Sequence, residues 1–158
     1  IRYTVFPQGC PHHCPGCHNP QTHDFSGGHI AQTDDVIAHL GQNPLVRGLT
    51  LAGGEPMMQP EPLYLIAKAA KEKGMNVWCY TGFTLENLLK ENRADRMKLL
   101  SVLDVLVDGP FVESRKSLEL KWCGSSNQRL IDLPATRRAG SVVEWQPASF
   151  SLEKPSNW

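Results

Sequence analysis

"VRGLTLAGGEP", residues 46–56, decides how this chain is read. An apolar run that stops abruptly at two glycines has the pattern of a buried parallel strand breaking into a loop. The downstream segments fit that start. "EPLYLIAKAAKEKG" (61–74) puts Leu63, Ile66, Ala67 and Ala70 on one face at helical spacing, with prolines near its beginning and Gly74 as the C-cap. "NVWCYTG" (76–82) reads as a second strand. "TLENLLKENRADRMKLLSVL" (84–103) reads as helix with a break near Asn92. "DVLVDGP" (104–110) is a third strand, "QRLIDL" (128–133) another, and "SVVEW" (141–145) a possible last one. On the N-terminal side, "HIAQTDDVIAHLGQN" (29–43) carries an N-cap at Thr33, acids at Asp34 and Asp35, and apolar Val36, Ile37 and Leu40. It reads as a short helix.

Strand and helix alternate, which predicts parallel strands joined by helical crossovers. A closed eight-unit barrel needs at least ~200 residues, and the chain has 158. The expected fold is therefore α/β: a partial, open β/α barrel of about five or six parallel strands. A single domain over residues 1–158 is expected, with 146–158 as a tail. The opening "IRYTVF" lacks an initiator Met and reads as if already inside a strand, so a leader is expected before it. The motifs "GGEP", "YTG" and "DGP" each come after a strand, at the carboxyl edge where parallel α/β folds place their sites.

Lys+Arg and Asp+Glu both number 16, so no basic surface recommends a nucleic-acid partner. No apolar run is long enough for a membrane span, and no secretory signal is visible. Five cysteines, three of them clustered, suit a metal site in a reducing cytoplasm better than a disulfide framework.

Those three lie in "GCPHHCPGCHNP" (9–20), at Cys10, Cys14 and Cys17. Pro11, Pro15 and Gly16 allow the tight turns that would bring such thiolates around one centre. A structural zinc would want a fourth ligand, which His12, His13, His18 or His23 could provide. An iron–sulfur cluster takes one ligand per iron, so three cysteines would leave one iron for a small molecule. On the cysteines alone both remain open. Gly53 and Gly54 permit a close backbone approach to a ligand, where a Cβ would intrude. Glu55 offers a carboxylate to an ammonium group. An isolated Gly-Gly is also a plain strand-ending turn.

Cys10-x3-Cys14-x2-Cys17, with a later strand ending in Gly53-Gly54-Glu55-Pro56, resembles the radical S-adenosylmethionine (SAM) superfamily. Within it, "QGCPHHCPGCHNPQT", "DGPF" (108–111) and "GSSNQR" (124–129) resemble the anaerobic ribonucleoside-triphosphate reductase activating proteins. These are the small glycyl-radical activases of the class III reductase. The similarity runs from Arg2 to Leu133.

The resemblance implies a [4Fe-4S] cluster held by Cys10, Cys14 and Cys17, with its fourth iron chelated by SAM. It implies that Gly53 to Glu55 receive the methionyl ammonium. Reductive cleavage would give methionine and a 5′-deoxyadenosyl radical, which takes a hydrogen from a glycine of the partner reductase. Electrons would come from a flavodoxin-type donor. Most of the superfamily has an aromatic residue where Gly16 stands, and His18 is a candidate for packing on adenine, though it reads equally as a surface His. Asp108, at a strand end, could bond a ribose hydroxyl or an ammonium, or could cap a turn. Ser126 and Asn127 could contact SAM or the partner, or form a polar turn. Cys79 reads as a buried small residue and Cys123 as a free thiol; Met57 and Met58 read as packing.

An unsealed barrel side would admit a peptide loop, which suits a macromolecular substrate. Two rivals remain on sequence grounds. One is an activase of another glycyl radical enzyme such as pyruvate formate-lyase. The other is a zinc-binding interaction module without catalysis.

Overall fold

The computed structural model describes residues 1–147. The strands are β1 (Arg2–Val5), β2 (Gly48–Leu51), β3 (Asn76–Tyr80), β4 (Val105–Asp108) and β5 (Arg129–Asp132). The helices are α1 (Thr33–His39), α2 (Pro60–Glu72), α3 (Leu85–Glu91), α4 (Ala94–Val102) and α5 (Leu133–Ala139). The strands form one sheet in chain order, with β1 and β5 at its edges. Among the described residues no helix is long and apolar enough to cross a membrane.

Alternation along each strand sorts the sheet into two faces. Tyr3 pairs with Leu49 and Leu49 with Val77; Leu51 pairs with Cys79, Cys79 with Leu106, and Leu106 with Ile131. These residues join one core cluster with the buried face of α2, at Leu63, Ile66, Ala67 and Ala70, and with Leu99 and Leu100 of α4. Burying a leucine or isoleucine there contributes about 1.5–3 kcal/mol, so the helix is held by its apolar stripe more than by propensity. Trp78 alternates to the other face, where it meets Trp122 and Trp145 edge-on at ring separations of 6.0 and 4.9 Å.

Several expectations stand. Asn92 takes a left-handed conformation (φ 47°) and separates α3 from α4, as the break near it predicts. α2 ends where expected, though Lys73 is its C-cap and Gly74, at φ +75°, is the residue after the cap.

Others are corrected. The sheet is mostly parallel, but β5 runs antiparallel to β4. The connection between them, residues 109–128, contains only a 3-10 turn at Glu113–Arg115 and no crossover helix. A parallel return needs such a crossover, so the chain comes back the other way. "SVVEW" forms no strand: Glu144 makes a single bridge to Ile131. α5 stands where no helix was expected, and Leu133, its first residue, closes the segment "QRLIDL" that reads as strand. Asp132 caps it, accepting from the backbone N–H of Ala135 at 2.7 Å, with Pro134 in its first turn and Gly140 at φ 70° beyond its end. Thr33 begins α1 instead of capping it; Gln32 is the N-cap and makes no side-chain bond. Of the expected tail at 146–158, only residues 146 and 147 lie within the described part.

Candidate functional site

The loops leaving β1, β2, β3 and β4 meet around a cavity of ≈ 280 Å³. Cys10, Cys14 and Cys17 line it from the first loop, Gly53 and Gly54 from the second, Thr81 and Gly82 from the third, and Gly109 and Phe111 from the fourth. This is the carboxyl edge of the parallel strands, where such folds gather ligands.

The cysteine loop is built from backbone turns. The Cys17 N–H donates to the Cys14 carbonyl at 3.1 Å, and the Asn19 N–H donates to the Cys17 Sγ at 3.4 Å. The loop base is anchored by Gly9 N–H to Thr22 O (2.9 Å) and Cys10 N–H to His23 O (3.1 Å). Cys10 is buried while Cys14 and Cys17 are partly exposed. Burial pushes the Cys10 thiol up, and the neighbouring Glu55 carboxylate adds to the shift; the backbone N–H groups of His12 and His13 oppose it. Gly16 adopts φ +70° because the loop turns there, but it does not line the cavity. A Cβ at Gly16 would meet the Glu113 carboxylate at 2.8 Å.

The glycine pair packs against the chain leaving β1. A Cβ at Gly53, which has φ +105°, would strike Phe6; one at Gly54 would lie 2.5 Å from Pro7 O and 2.7 Å from Gly9 O. The obstacle is the chain leaving β1, so these glycines first allow the β2 exit to pack against the base of the cysteine loop. The Gly54 N–H donates to Pro7 O and the Glu55 N–H to Gly9 O, each at 2.9 Å. Among the described residues, none donates a hydrogen bond to the carbonyl oxygens of Gly53 or Gly54.

Glu55 is 1% exposed and its carboxylate is already committed. Oε1 accepts from the Met57 N–H (2.9 Å) and the Thr81 hydroxyl (2.8 Å). Oε2 accepts from the Gly82 N–H (2.8 Å) and lies 2.8 Å from His12 Nε2. With four partners, this carboxylate is a structural hub. His12, bound to Glu55 and edge-on to Phe83 at 4.6 Å, is likewise occupied.

His18 reaches the cavity and lies 5.3 Å from Phe111, the two rings tilted by 47°. Asp108 and Ser126 are not brought to the cavity. Asp108 is buried, receives the Leu85 N–H at 2.8 Å and pairs with Arg129 at 2.5 Å, so its carboxylate joins β4, β5 and the start of α3. Ser126 sits on a different surface hollow with Asn127. The "GSSNQR" segment does reach the cavity, through Gly124 and Gln128 instead. Gln128 Oε1 accepts from the Gly124 and Ser125 N–H groups, and its Nε2 donates to Gly109 O at 3.1 Å. Tyr80, Thr81 and Gly82 also line the cavity; "YTG" after a strand was their signal in the sequence. Cys79 is fully buried in the core, with its thiol pushed well up by burial, and Cys123 is partly buried outside the cavity.

The donor set can be tested against the two metal readings. Among the described residues no three His, Cys, Asp or Glu side chains gather tightly enough for a single ion. Three thiols spread around one cavity suit a multi-iron cluster with one thiolate per iron. His23, whose Nε2 is buried and without a partner among the described residues, is one of the residues lining the same cavity.

Comparison with known proteins agrees with that donor set. The family model of a 4Fe-4S single cluster domain matches residues 1–131, which gives the class: an iron–sulfur protein carrying one cluster domain. The chain is 37% identical over 135 residues to the anaerobic ribonucleoside-triphosphate reductase-activating protein of Escherichia coli, covering 80% of this chain and 85% of that protein. It is 38% identical over 135 residues to that of Vibrio cholerae (80% and 84%) and 33% identical over 138 residues to that of Pasteurella multocida (80% and 84%). The chain belongs to the family of anaerobic ribonucleoside-triphosphate reductase-activating proteins.

Proposed function

We propose that this chain activates an anaerobic ribonucleoside-triphosphate reductase as a radical SAM enzyme. Cys10, Cys14 and Cys17 hold a [4Fe-4S] cluster and leave one iron without a protein ligand. When bound there, such a cluster would supply the electron for reductive cleavage of SAM to methionine and a 5′-deoxyadenosyl radical, the chemistry that would take a hydrogen atom from a glycine of the reductase. A flavodoxin-type donor supplies the electron.

The observation that carries this reading is the shared lining of one cavity: the three cysteines, Gly53 and Gly54, whose carbonyls meet no donor among the described residues, and the His18–Phe111 pair. The chain's own residues then divide the work. The Gly53 and Gly54 carbonyls accept the methionyl ammonium. The His18 and Phe111 rings take the adenine, as aromatic faces take any base. Glu55 and His12 hold the cysteine loop against the sheet so that thiols and carbonyls keep their spacing.

Oxygen-free reconstitution tests the reading. Iron and sulfide should approach four each per chain, and reductant with SAM should yield 5′-deoxyadenosine. Electron paramagnetic resonance (EPR) should then show a glycyl doublet on the anaerobic reductase and none on pyruvate formate-lyase. A protein that takes up one zinc and leaves SAM intact would overturn the proposal. A doublet on the lyase alone would overturn its substrate.

A further inference from the structure

The His23 Nε2 is buried and no group among the described residues reaches it. The backbone around His23 is held by several bonds. The His23 carbonyl accepts the Cys10 N–H at 3.1 Å, and the preceding Thr22 carbonyl accepts the Gly9 N–H at 2.9 Å. The Gln8 side chain spans the turn, donating to Gln21 O (3.0 Å) and Asp24 O (2.7 Å). The His13 ring stands edge-on to the His23 ring at 5.1 Å. His23 is thus paired with Cys10 through the backbone and is one of the residues lining the thiol cavity.

A buried imidazole nitrogen without a partner is costly, and native proteins rarely leave one unused. Anionic sulfur is the acceptor that this cavity offers: a cysteine thiolate or a sulfide of the cluster. We infer that His23 donates an Nε2–H hydrogen bond to sulfur at the iron–sulfur site and thereby raises the reduction potential of the cluster. The inference rests on the cluster reading above. Its physical basis is general: a hydrogen bond to sulfur withdraws electron density from the metals, and such bonds are one of the levers that set cluster potentials. The residue does not ligate iron, so the open iron stays open.

The test uses the full chain, reconstituted without oxygen and labelled with 15N-histidine, in the absence of SAM. Wild type, His23→Phe and His23→Gln are compared by iron and sulfide content, by EPR-monitored redox titration and by electron–nuclear double resonance. Wild type should show a weak 15N coupling to the reduced cluster. His23→Phe should load iron and sulfide yet lose that coupling. Its reduced-to-oxidised ratio at a fixed potential should fall about tenfold, a shift of about 59 mV for one electron. His23→Gln keeps an N–H but removes the imidazole, so it should lose the 15N coupling and stay near the wild-type potential. If His23→Phe fails to load, the glutamine variant decides by its 15N signal. A loaded His23→Phe with the wild-type potential, an unchanged 15N coupling in His23→Gln, or a strong coupling typical of ligated nitrogen each overturns the inference. In all three cases the cluster reading stands. A wild-type chain that binds no iron and sulfide overturns both.

Discussion

The His12 Nε2 lies 2.8 Å from the Glu55 Oε2, so one side-chain contact fastens the cysteine loop to the exit of β2. The same carboxylate holds the exit of β3 through Thr81 and Gly82. Three of the loops that line the cavity are thus tied to a single buried residue.

Removing that tie should loosen all three loops together. Glu55→Ala leaves Met57, Thr81, Gly82 and His12 without their acceptor. A buried group left unsatisfied costs about 1–3 kcal/mol, so this variant should lose at least about 2 kcal/mol of stability in urea denaturation. It should also load less iron. An unchanged denaturation midpoint would show that the hub does not hold the loops.

Gly54→Ala should damage the cluster site itself, beyond any effect on SAM. Its Cβ would lie 2.5 Å from the Pro7 carbonyl, at the base of the cysteine loop, and a backbone oxygen cannot rotate aside. Gly74→Ala is the control. Its Cβ meets nothing within 4 Å, so it should cost only the ~1–2 kcal/mol of a left-handed alanine and load normally. Equal iron contents in the two variants would count against this assignment.

The five cysteines should separate into two groups on replacement by Ala. Cys10, Cys14 and Cys17 line the cavity, and losing any one should abolish stable [4Fe-4S] loading. Cys79→Ala should load its cluster despite some loss of core packing, since that side chain is fully buried among apolar residues. Cys123→Ala should also load. Absorption and iron analysis give the answer, and loss of the cluster in either of the last two alone would refute the grouping.

Phe111→Ala should weaken SAM binding about tenfold while leaving iron and sulfide unchanged. Stacking a base on an aromatic ring contributes about 1–3 kcal/mol, and about 1.4 kcal/mol is a factor of ten. Equilibrium dialysis of the reconstituted protein measures it. Wild-type affinity would remove Phe111 from the adenine site.

The Arg129 guanidinium bonds to Asp108 and Glu86, and its bond to Glu86 holds that carboxyl below its ordinary value of 4.5. A depressed carboxyl stabilises the fold above its unfolded value and loses that contribution as pH falls through its folded value. The stability gap between wild type and Glu86→Gln should therefore be full at neutral pH and close below pH 4.5. The pair is solvent-facing, so the gap should be small and shrink further in salt. A gap that stays constant down to acid pH would exclude Glu86 as its source.

Local signals account for much of the fold and site that was legible in the sequence. The helical stripe Leu63, Ile66, Ala67 and Ala70 is a pattern of period 3.6, and burial of one face is its direct consequence. The three cysteines, the glycine pair and the left-handed break at Asn92 are equally local, because each depends on residues within a turn or two. The direction of β5 was not legible in that way. Alternation in "QRLIDL" fits either orientation, and the orientation is set by the absence of a crossover helix across residues 109–128. α5 carried its own cap, proline and terminal glycine, yet its short apolar start read as strand.

The order of residues alone thus dictated the alternation of elements, the thiol set and the edge at which the site forms. The use of each polar group was settled only by packing in three dimensions. Glu55 read as a carboxylate open to a ligand and Asp108 as either a ligand contact or a cap, but each is buried against donors distant in sequence: Arg129 and Leu85 for Asp108, His12, Thr81 and Gly82 for Glu55. A carboxylate binds a ligand or holds a loop according to which donors surround it, and those donors arrive from other strands once the sheet has formed. The same holds for His23. In sequence it is one of four histidines near the cysteines, and only the pairing of residues 9–10 with 22–23 brings it to the lining of the thiol cavity, with Nε2 unpartnered among the described residues.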